Sequence, residues 1–579
     1  MRVTRLISRR LIGLLLTSAA LMAPAAVQAQ SIAPTRDELT RDNVTPPPRR
    51  PTLNVVGGIE RSPCPLADPR YADIKVTITE VRFNNLKGAT AEELAPSWAA
   101  FAGTVQPVAV LCEVRDAAAT ILRNKGYLAA VQVPTQRIES GVVIMETLFA
   151  RVTTVRARGQ TGGAEEKLTG YLNKLTEDEI FDRYRAERYL LLARDLPGYN
   201  VQLTLKPAGT GPGELIGEVS VLRDAFALDA TVQNLAAKST GRWGGQLAAS
   251  AYGLTGLGDV TTASFYSTFD VREQKIVQLS HNFRPGSEGL TIDGLFTYAW
   301  TRPDLNAPDE VPDLKARTLF ASLGARYPVI RRQNHNLWLG GGLDLVNQKV
   351  NFFGPLTRDR LRVLFVRAQW DAIDLSSRRP KWRGAATIEL RRGLDIFGAS
   401  DRCPDEGCPF DAPGLSRFDG KPTATLVRAV GNVELAIGDS FSLSVSPRVQ
   451  KAFAPLLSFE EFTGGNYTVG RGYDPAVIAG DGGAGVAVEL RGPRFDPNKR
   501  GTLSLQPYVF GDAAWVWNRN IGNDPDHLKS AGGGLRADLN GRFRLDGAVA
   551  FPLERAGLQT KKGDPRLLLT LTSRLLPWR

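Results

Sequence analysis

Methionine, histidine and cysteine are scarce in this chain of 579 residues, which has 3 Met, 3 His and 4 Cys. The histidines His281, His335 and His527 lie in separate segments, so a histidine-based catalytic or metal site is not expected. A nucleotide motif is missing too, because the glycine-rich stretch 480–485 lacks the Lys-Ser/Thr pair of a phosphate loop. We therefore expect no enzyme activity, no metal and no cofactor.

Basic clusters and long apolar runs are also missing from most of the chain. The formal net charge is +12, and removing the first 29 residues, which hold four Arg and no acid, leaves +8 (12 − 4) spread along the chain. This distribution gives no support for nucleic-acid binding. Beyond residue 29 no window holds 18 or more apolar residues, so membrane residence would require a closed β-barrel.

The N-terminus has the pattern of a secretory signal peptide, residues 1–29. Four arginines precede an apolar stretch from Leu11 to Ala23, and small residues then lead to a cleavage site after Ala29. The mature chain is therefore expected to leave the cytoplasm.

The four cysteines can form disulfides in an oxidising compartment. We expect Cys64 to pair with Cys112, and Cys403 to pair with Cys408 in a long loop. A metal site is the alternative for the second pair, but its spacing lacks a matching second Cys or His pair, which favours the disulfide.

A proline-rich linker and two copies of one small α+β unit follow the signal peptide. In the linker, residues 30–58, Thr35 is a candidate N-cap with Glu38 at the capping-box position, which predicts a short helix to about residue 43. Residues 59–150 and 151–223 each show a β-α-α-β-β pattern, in which the second helix carries an aliphatic stripe able to cover a sheet. In the first copy the pattern predicts a strand over 74–83 and a helix over 91–101.

Residues 224–579 contain segments of about ten residues in which apolar and polar side chains alternate. In the clearest, Phe441 to Gln450, apolar residues share one face and Ser, Arg and Gln share the other, as expected for lipid outside and water inside. Aromatic residues such as Trp300 and Trp515 lie near segment ends, as in an interfacial girdle. We therefore predict an antiparallel membrane β-barrel rather than a large soluble β-protein. Its 16 predicted strands begin near Phe226, Arg242, Val260, Lys275, Leu290, Arg317, Asn336, Arg360, Arg383, Thr425, Ser440, Gly485, Thr502, Leu528, Arg542 and Arg566.

A long glycine-rich insertion, residues 452–484, separates the eleventh and twelfth predicted strands. Gly470 and Gly472 allow a tight hairpin whose backbone comes close to a wall, and they place Arg471 at its tip, followed by Tyr473. A guanidinium there needs carboxylates as partners. The next two strands provide such partners on their polar, lumen-facing side: Glu489 and Asp512. Phe510 precedes Asp512 by two positions.

These motifs together resemble the outer-membrane transporters of two-partner secretion, the haemolysin secretion and activation family, within the superfamily that includes barrel-assembly insertases. The resemblance covers nearly the whole mature chain. It rests on Ser62-Pro63-Cys64, Cys112, Gly126-Tyr127, Pro134-Thr135-Gln136, Leu196-Pro197-Gly198, Phe462 to Tyr473 and Phe510-x-Asp512. The family usually has Val directly before the Arg, where this chain has Gly470.

The resemblance implies two periplasmic POTRA domains, a 16-stranded barrel in the bacterial outer membrane, and an inward loop whose Arg-Gly-Tyr tip meets the Asp of the wall. It also implies a plug helix, for which only the stretch 35–43 is available. The expected partners are outer-membrane lipids and an unfolded secreted exoprotein of the haemolysin or adhesin type, exported without nucleotide hydrolysis, with activation of that partner left open. The alternatives are a barrel-assembly insertase and a solute pore or receptor.

Overall fold

The protein consists of two small α+β domains followed by a closed β-barrel in the computed structural model. A helix, α1 (Arg36–Leu39), and a two-residue strand, β1 (Asn54–Val55), precede them. The structure describes residues 33–40, 54–55, 64–304, 308, 312–377, 379–403, 413–497, 501–519, 526–557 and 559–577. The predicted signal peptide, most of the linker 30–58, and Cys408 lie outside these residues.

The first domain packs α3 against a three-stranded sheet of order β3-β6-β5. Its core includes Leu94, Val114 and Leu122 from the helical side and Val143 from the sheet, all fully buried. A second, two-stranded sheet joins β2 and β4. The elements are β2 Lys75–Thr77, β3 Glu80–Asn84, α2 Ala91–Leu94, β4 Val105–Pro107, α3 Val110–Asn124, β5 Ala129–Gln132 and β6 Val142–Phe149.

Two expectations for the first domain are wrong in detail. The single strand predicted over 74–83 is divided at residues 78 and 79 into β2 and β3, which belong to different sheets. The helix predicted over 91–101 is regular only to Leu94 and continues as 3-10 turns. Pro96 explains the second difference, since proline has no N–H to donate within a helix.

The second domain has the predicted β-α-α-β-β order, with two helices covering one face of the sheet β1-β8-β9-β7. Strand β1 of the linker extends this sheet by pairing in parallel with β8, Asn54 opposite Thr204 and Val55 opposite Leu205. The elements are β7 Arg151–Gly159, α4 Glu165–Asn173, α5 Arg183–Arg194, β8 Tyr199–Pro207 and β9 Glu214–Arg223.

The second domain is fixed to one end of the barrel by polar contacts from α5 and the residue after it. Asp195 forms a two-pronged ion pair with Arg331, with both N–O distances 2.7 Å. Arg188 donates to the carbonyl of Pro328 at 2.9 Å, and the hydroxyl of Tyr189 lies 3.1 Å from a carboxylate oxygen of Glu288. These contacts define a near end of the barrel, beside the second domain, and a far end.

The barrel has 16 antiparallel strands and closes by pairing β10 with β27, which confirms the predicted strand number. Fifteen of the 16 predicted starts lie within four residues of the observed ones; β17 begins six residues early, in polar sequence that shows no apolar alternation. The strands are β10 Phe226–Gln233, β11 Gly244–Tyr252, β12 Val260–Thr268, β13 Gln274–Phe283, β14 Thr291–Thr301, β15 Lys315–Arg331, β16 His335–Phe352, β17 Gly354–Ile373, β18 Trp382–Gly393, β19 Thr425–Ile437, β20 Phe441–Ala452, β23 Gly482–Arg491, β24 Leu503–Trp517, β25 Asp526–Leu539, β26 Phe543–Pro552 and β27 Arg566–Leu576.

The two faces of the barrel wall differ as the alternation predicts. On β14, Phe296 and Trp300 are about two-fifths exposed on the outside, whereas Thr297 is fully buried on the inside. Among the described residues, no helix has the length and apolar character needed to cross a membrane.

Candidate functional site

The loop between β20 and β23, residues 453–481, folds back into the barrel lumen. It contains a short 3-10 helix and a two-stranded ribbon, β21 Phe462–Gly464 and β22 Ile478–Gly480. Buried apolar side chains of this inward loop pack against apolar side chains of the barrel wall. The loop contributes Phe462, Val469, Tyr473 and Ile478, and strands β24 and β25 contribute Ala514, Val516 and Leu528.

Arg471, at the loop tip, is clamped by two carboxylates of the wall. Its Nη2 and Nε donate to Asp512 at 2.7 and 3.1 Å, and its backbone N–H donates to the same carboxylate at 2.9 Å. Nη1 donates to Glu489 at 3.0 Å. The guanidinium carbon lies 3.6 Å from the ring centroid of Phe510, a cation–π geometry that fixes the plane of the fork. The structure thus brings these four predicted site residues together.

The glycines on either side of Arg471 are needed for this close approach. Gly470 has φ +124°, and a Cβ there would lie 2.6 Å from the Leu528 side chain. A Cβ on Gly472 would lie 2.8 Å from the backbone N of Pro552. This chain has Gly470 where the family that it resembles usually has Val. Its own valine, Val469, lies one position earlier and is buried against the wall.

Tyr473 closes the tip on its other side. Its hydroxyl lies 2.8 Å from the carbonyl oxygens of both Lys529 and Glu554, so it joins the loop to β25 and to the segment after β26. The ring is 2% exposed, so the phenol satisfies its polar atom entirely within the protein.

The carboxylate of Glu489 also belongs to a larger charge network that the sequence did not reveal. Arg536 donates to Glu489 at 2.7 and 3.1 Å and to Asp546 at 2.9 Å, and Arg491 donates to Glu489 at 2.6 Å. Alternation along β23 could have revealed Arg491 as a member of this network, since it lies two residues after Glu489 and therefore faces the lumen too.

Helix α1 lies in the lumen, between the barrel wall and the inward loop. The predicted capping box is present, with Thr35 and Glu38 bonding each other's backbone N–H. Leu39 is 3% exposed and packs with Phe459 of the loop. This placement makes α1 an obstacle in the lumen.

Charged residues of α1 hold it to both neighbours. Arg36 lies 3.3 Å from Glu389 on β18 and 4.0 Å from Glu460 of the inward loop. Asp37 accepts from Arg448 on β20 at 3.1 Å and from the hydroxyl of Thr463 in the loop at 3.0 Å. Burial alone would raise the pKa of Asp37, but Arg448 and Arg428 outweigh it and hold the pKa below its ordinary value.

Arg391 on β18 is the centre of the network behind α1, with a side chain 0% exposed. It donates to Glu460 at 2.7 and 2.8 Å, to Glu389 at 2.8 Å and to Asp344 at 2.9 Å. The base of the inward loop, α1 and the wall therefore share one buried set of charges.

A second anchor ties the inward loop to the long loop between β18 and β19, residues 394–424. Arg417 of that loop donates to Asp481 at 2.7 Å and to Glu461 at 2.9 Å, and all three side chains are buried. Asp481 also accepts from the backbone N–H of Leu456 at 2.6 Å and of Arg519 at 2.9 Å. Three loops at the far end of the barrel thus meet at one carboxylate.

The remaining predicted site residues are the four cysteines, of which three lie within the described residues. Cys64 and Cys112 form a disulfide in the first domain. Cys403 is buried in the loop 394–424, and its expected partner Cys408 lies outside the described residues. Within the described part of the chain, His, Cys, Asp and Glu side chains form no group of three or more that could hold a metal ion.

Residues 220–537, more than half of the chain, match the model of one protein family, haemolysin secretion/activation protein ShlB/FhaC/HecB. The chain belongs to this family. It is therefore an outer-membrane transporter of two-partner secretion, and its two α+β domains are periplasmic POTRA domains. The near end of the barrel is accordingly periplasmic and the far end extracellular.

Solved structures show the same fold at low sequence identity. CdiB from Escherichia coli is 16% identical, with a TM-score of 0.70 and 98% of each chain covered. CdiB from Acinetobacter baumannii is 18% identical, with a TM-score of 0.64, covering 97% of this chain and 98% of that one. BamA from Haemophilus ducreyi lacking POTRA domains 1-3 is 14% identical, with a TM-score of 0.51, covering 86% of this chain and 100% of that one. No protein of curated function matches the sequence.

Proposed function

We propose that this transporter captures an unfolded secreted exoprotein with its POTRA domains and exports it through the barrel lumen after the inward loop and α1 have moved. The observation that carries the proposal is the way the lumen is closed. Both obstacles are held by side-chain ion pairs and apolar contacts. Such contacts can be exchanged for contacts with a passing chain, whereas the closed backbone ladder of the barrel persists.

The first POTRA domain offers a place for an extended segment of the partner. A cavity of about 990 Å³ lies between α3 and β5, which is an edge strand of its sheet. A partner strand can add its backbone to such an edge while its alternate side chains enter the cavity. The apolar part of its lining consists largely of Leu66, Val76, Leu111, Ala119, Val131, Val133 and Ile138.

The second POTRA domain presents a different situation at its sheet edge. Strand β1 of the linker already pairs with Thr204 and Leu205 of β8. A partner strand adding at these residues would have to replace β1, whereas addition at β5 requires no such exchange. Capture at β5 of the first domain therefore needs no prior exchange of strands.

Folding of the partner outside the cell gives export its direction. The partner enters unfolded and folds outside the cell, which removes extended chain from the lumen. The partner is a large exoprotein of the haemolysin or adhesin type, recognised through extended segments with alternating apolar residues.

Export of the secreted exoprotein partner tests the proposal, with Val133→Glu as the variant. A carboxylate among the apolar residues of the cavity should prevent capture and lower the amount of exoprotein in the medium. Ile144→Glu is the matched control, because Ile144 is exposed on β6 outside the cavity. Equal export by Val133→Glu and wild-type protein, at equal amounts of transporter in the outer membrane, would show that the cavity does not capture the partner.

A further inference from the structure

Cationic side chains face each other on the outside of the barrel wall at its extracellular end. Direct strand pairing places Arg317 of β15 opposite Lys349 of β16, and Lys349 opposite Arg358 of β17. We call these three residues the rim cations. On the next strands the row continues with Trp300 opposite Arg317 and Lys275 opposite Trp300.

The buried neighbours of the rim cations show that the row faces outward. Thr318 on β15 and Gln348 on β16 are almost fully buried, and the amide of Gln348 bonds the hydroxyl of Thr318 inside the lumen at 3.1 Å. Successive side chains of a strand point to opposite faces, so Arg317 and Lys349 lie on the lipid side. Asp359 likewise points inward and accepts from the backbone N–H of Ser416 at 2.9 Å, which places Arg358 outside.

The rim cations have no carboxylate partner among the described residues. Asp313, four residues before Arg317, is already paired with Arg302 at 2.5 Å and with Lys315 at 3.8 Å. The Nε of Arg358 is buried and has no hydrogen-bond acceptor within the described structure. Like charges directly opposite each other on neighbouring strands destabilise a sheet.

Other charges that lie directly opposite each other on the described strands have opposite signs. Arg383 faces Glu434 and forms an ion pair with it, and Arg536 faces Asp546 at 2.9 Å. Within the described part of the chain, the rim cations are therefore exceptional in having no acidic partner, and an anion from outside the chain would supply one.

Apolar residues lie on the same outward face, nearer the membrane centre. Leu323 on β15 is 62% exposed, and Leu339 and Leu364 on the following strands are about half exposed. Trp300 is of the residue type that concentrates at the membrane–water boundary. Because neighbouring strands are about 4.8 Å apart, the rim cations span about 10 Å, the scale of a lipid head group. A ligand here must be apolar on the membrane side and anionic on the water side.

We propose that this face of β15, β16 and β17 binds the phosphorylated head group of an outer-leaflet glycolipid. The phosphates contact the rim cations through charge-assisted hydrogen bonds, in which the planar forks of Arg317 and Arg358 suit phosphate oxygens. The acyl chains lie along the apolar residues below. The lipid thereby braces the three longest strands of the barrel, beside the loop 394–424.

Binding of bisphosphorylated lipid A by the full-length transporter in detergent micelles tests this proposal. We expect the triple variant Arg317→Gln, Lys349→Gln, Arg358→Gln to lose about a hundredfold in affinity, since each cation near a charged lipid surface contributes about fivefold. The control removes three exposed cations from the POTRA domains, Arg137→Gln, Arg156→Gln and Arg158→Gln, and should bind as wild type does.

Dephosphorylated lipid A provides a second readout that needs no variant. The wild-type protein should bind it as weakly as the triple variant binds the phosphorylated form, and inorganic phosphate should not displace bound lipid A. Equal binding of the two lipids by wild-type protein, equal binding by wild type and triple variant, or full displacement by inorganic phosphate would each overturn the proposal.

Discussion

Arg417 and Asp481 join two loops of the extracellular end through a buried ion pair, with Nη1 of Arg417 2.7 Å from Oδ1 of Asp481. The exposed fractions of the two side chains are 4% and 0%. Removing one partner of a buried pair leaves a charge without compensation, which costs about 3–5 kcal/mol. The pair therefore holds the loop 394–424 against the inward loop.

We expect Arg417→Ala to loosen both loops and to increase ion conductance through the barrel in planar bilayers. The control is Arg379→Ala, because Arg379 and Asp439 form an exposed pair at 3.9 Å that contributes little. Conductance of Arg417→Ala equal to that of Arg379→Ala would mean that the loop 394–424 does not restrain the lumen.

For the loop tip, we expect Arg471→Ala to lower export strongly while the barrel stays in the outer membrane. Arg471→Lys should recover little, because an ammonium keeps the charge but cannot bind Asp512 as a two-pronged fork or stack on Phe510 as a planar group. Exported protein in the medium is measured against the amount of heat-modifiable, folded barrel. Full export by Arg471→Ala would rule out a role of the clamp.

The exchanged pair Arg471→Asp with Asp512→Arg should recover only part of the export. The two new side chains can still meet, but an aspartate at the tip would face Glu489, which now binds Arg471 at 3.0 Å. Double-mutant comparison with each single variant isolates the pair. Recovery to the wild-type level would indicate that Glu489 does not contribute to the clamp.

Gly470 tests the backbone of the hairpin separately from its charges. We expect Gly470→Ala to reduce export although Arg471 and Asp512 are unchanged, because a Cβ at φ +124° is strained and would meet Leu528 at 2.6 Å. Gly438→Ala is the matched control, since Gly438 also has positive φ, +58°, but a Cβ there would meet nothing within 4 Å. Similar export by the two variants would show that the hairpin tolerates a side chain at Gly470.

Strand alternation was sufficient to predict the barrel and the lumen-facing positions of Glu489 and Asp512. Arg391 was harder to recognise, because Arg392 beside it places an arginine on each face of β18 and interrupts the alternation of apolar and polar residues there. Arg417 was beyond prediction because the loop 394–424 has no periodicity and the partners that join it to the inward loop, Glu461 and Asp481, are distant in sequence. The pairing of β1 with β8 involves only two residues of a proline-rich linker, too few to form a pattern.

Deletion of residues 59–223 distinguishes protein export from solute transport. We expect the deletion to abolish export of the exoprotein, because it removes both POTRA sheets and the contacts of α5 with the barrel. Uptake of small solutes through the remaining barrel is measured in parallel as evidence that the barrel is assembled. Solute uptake that is specific and saturable, with exoprotein export unaffected, would favour a pore or receptor.

Movement of the inward loop during export can be tested most directly by a disulfide between the loop and the wall. A Cβ on Gly485 of β23 would lie 3.4 Å from the Cβ of Val469, close to the separation of about 3.8 Å found in disulfides. We expect the double variant Val469→Cys, Gly485→Cys to export nothing when oxidised and to regain export on reduction, with both single variants and reductant-treated wild type exporting normally. Undiminished export by the oxidised double variant, with the cross-link verified on a gel, would contradict passage through a lumen that the loop must leave.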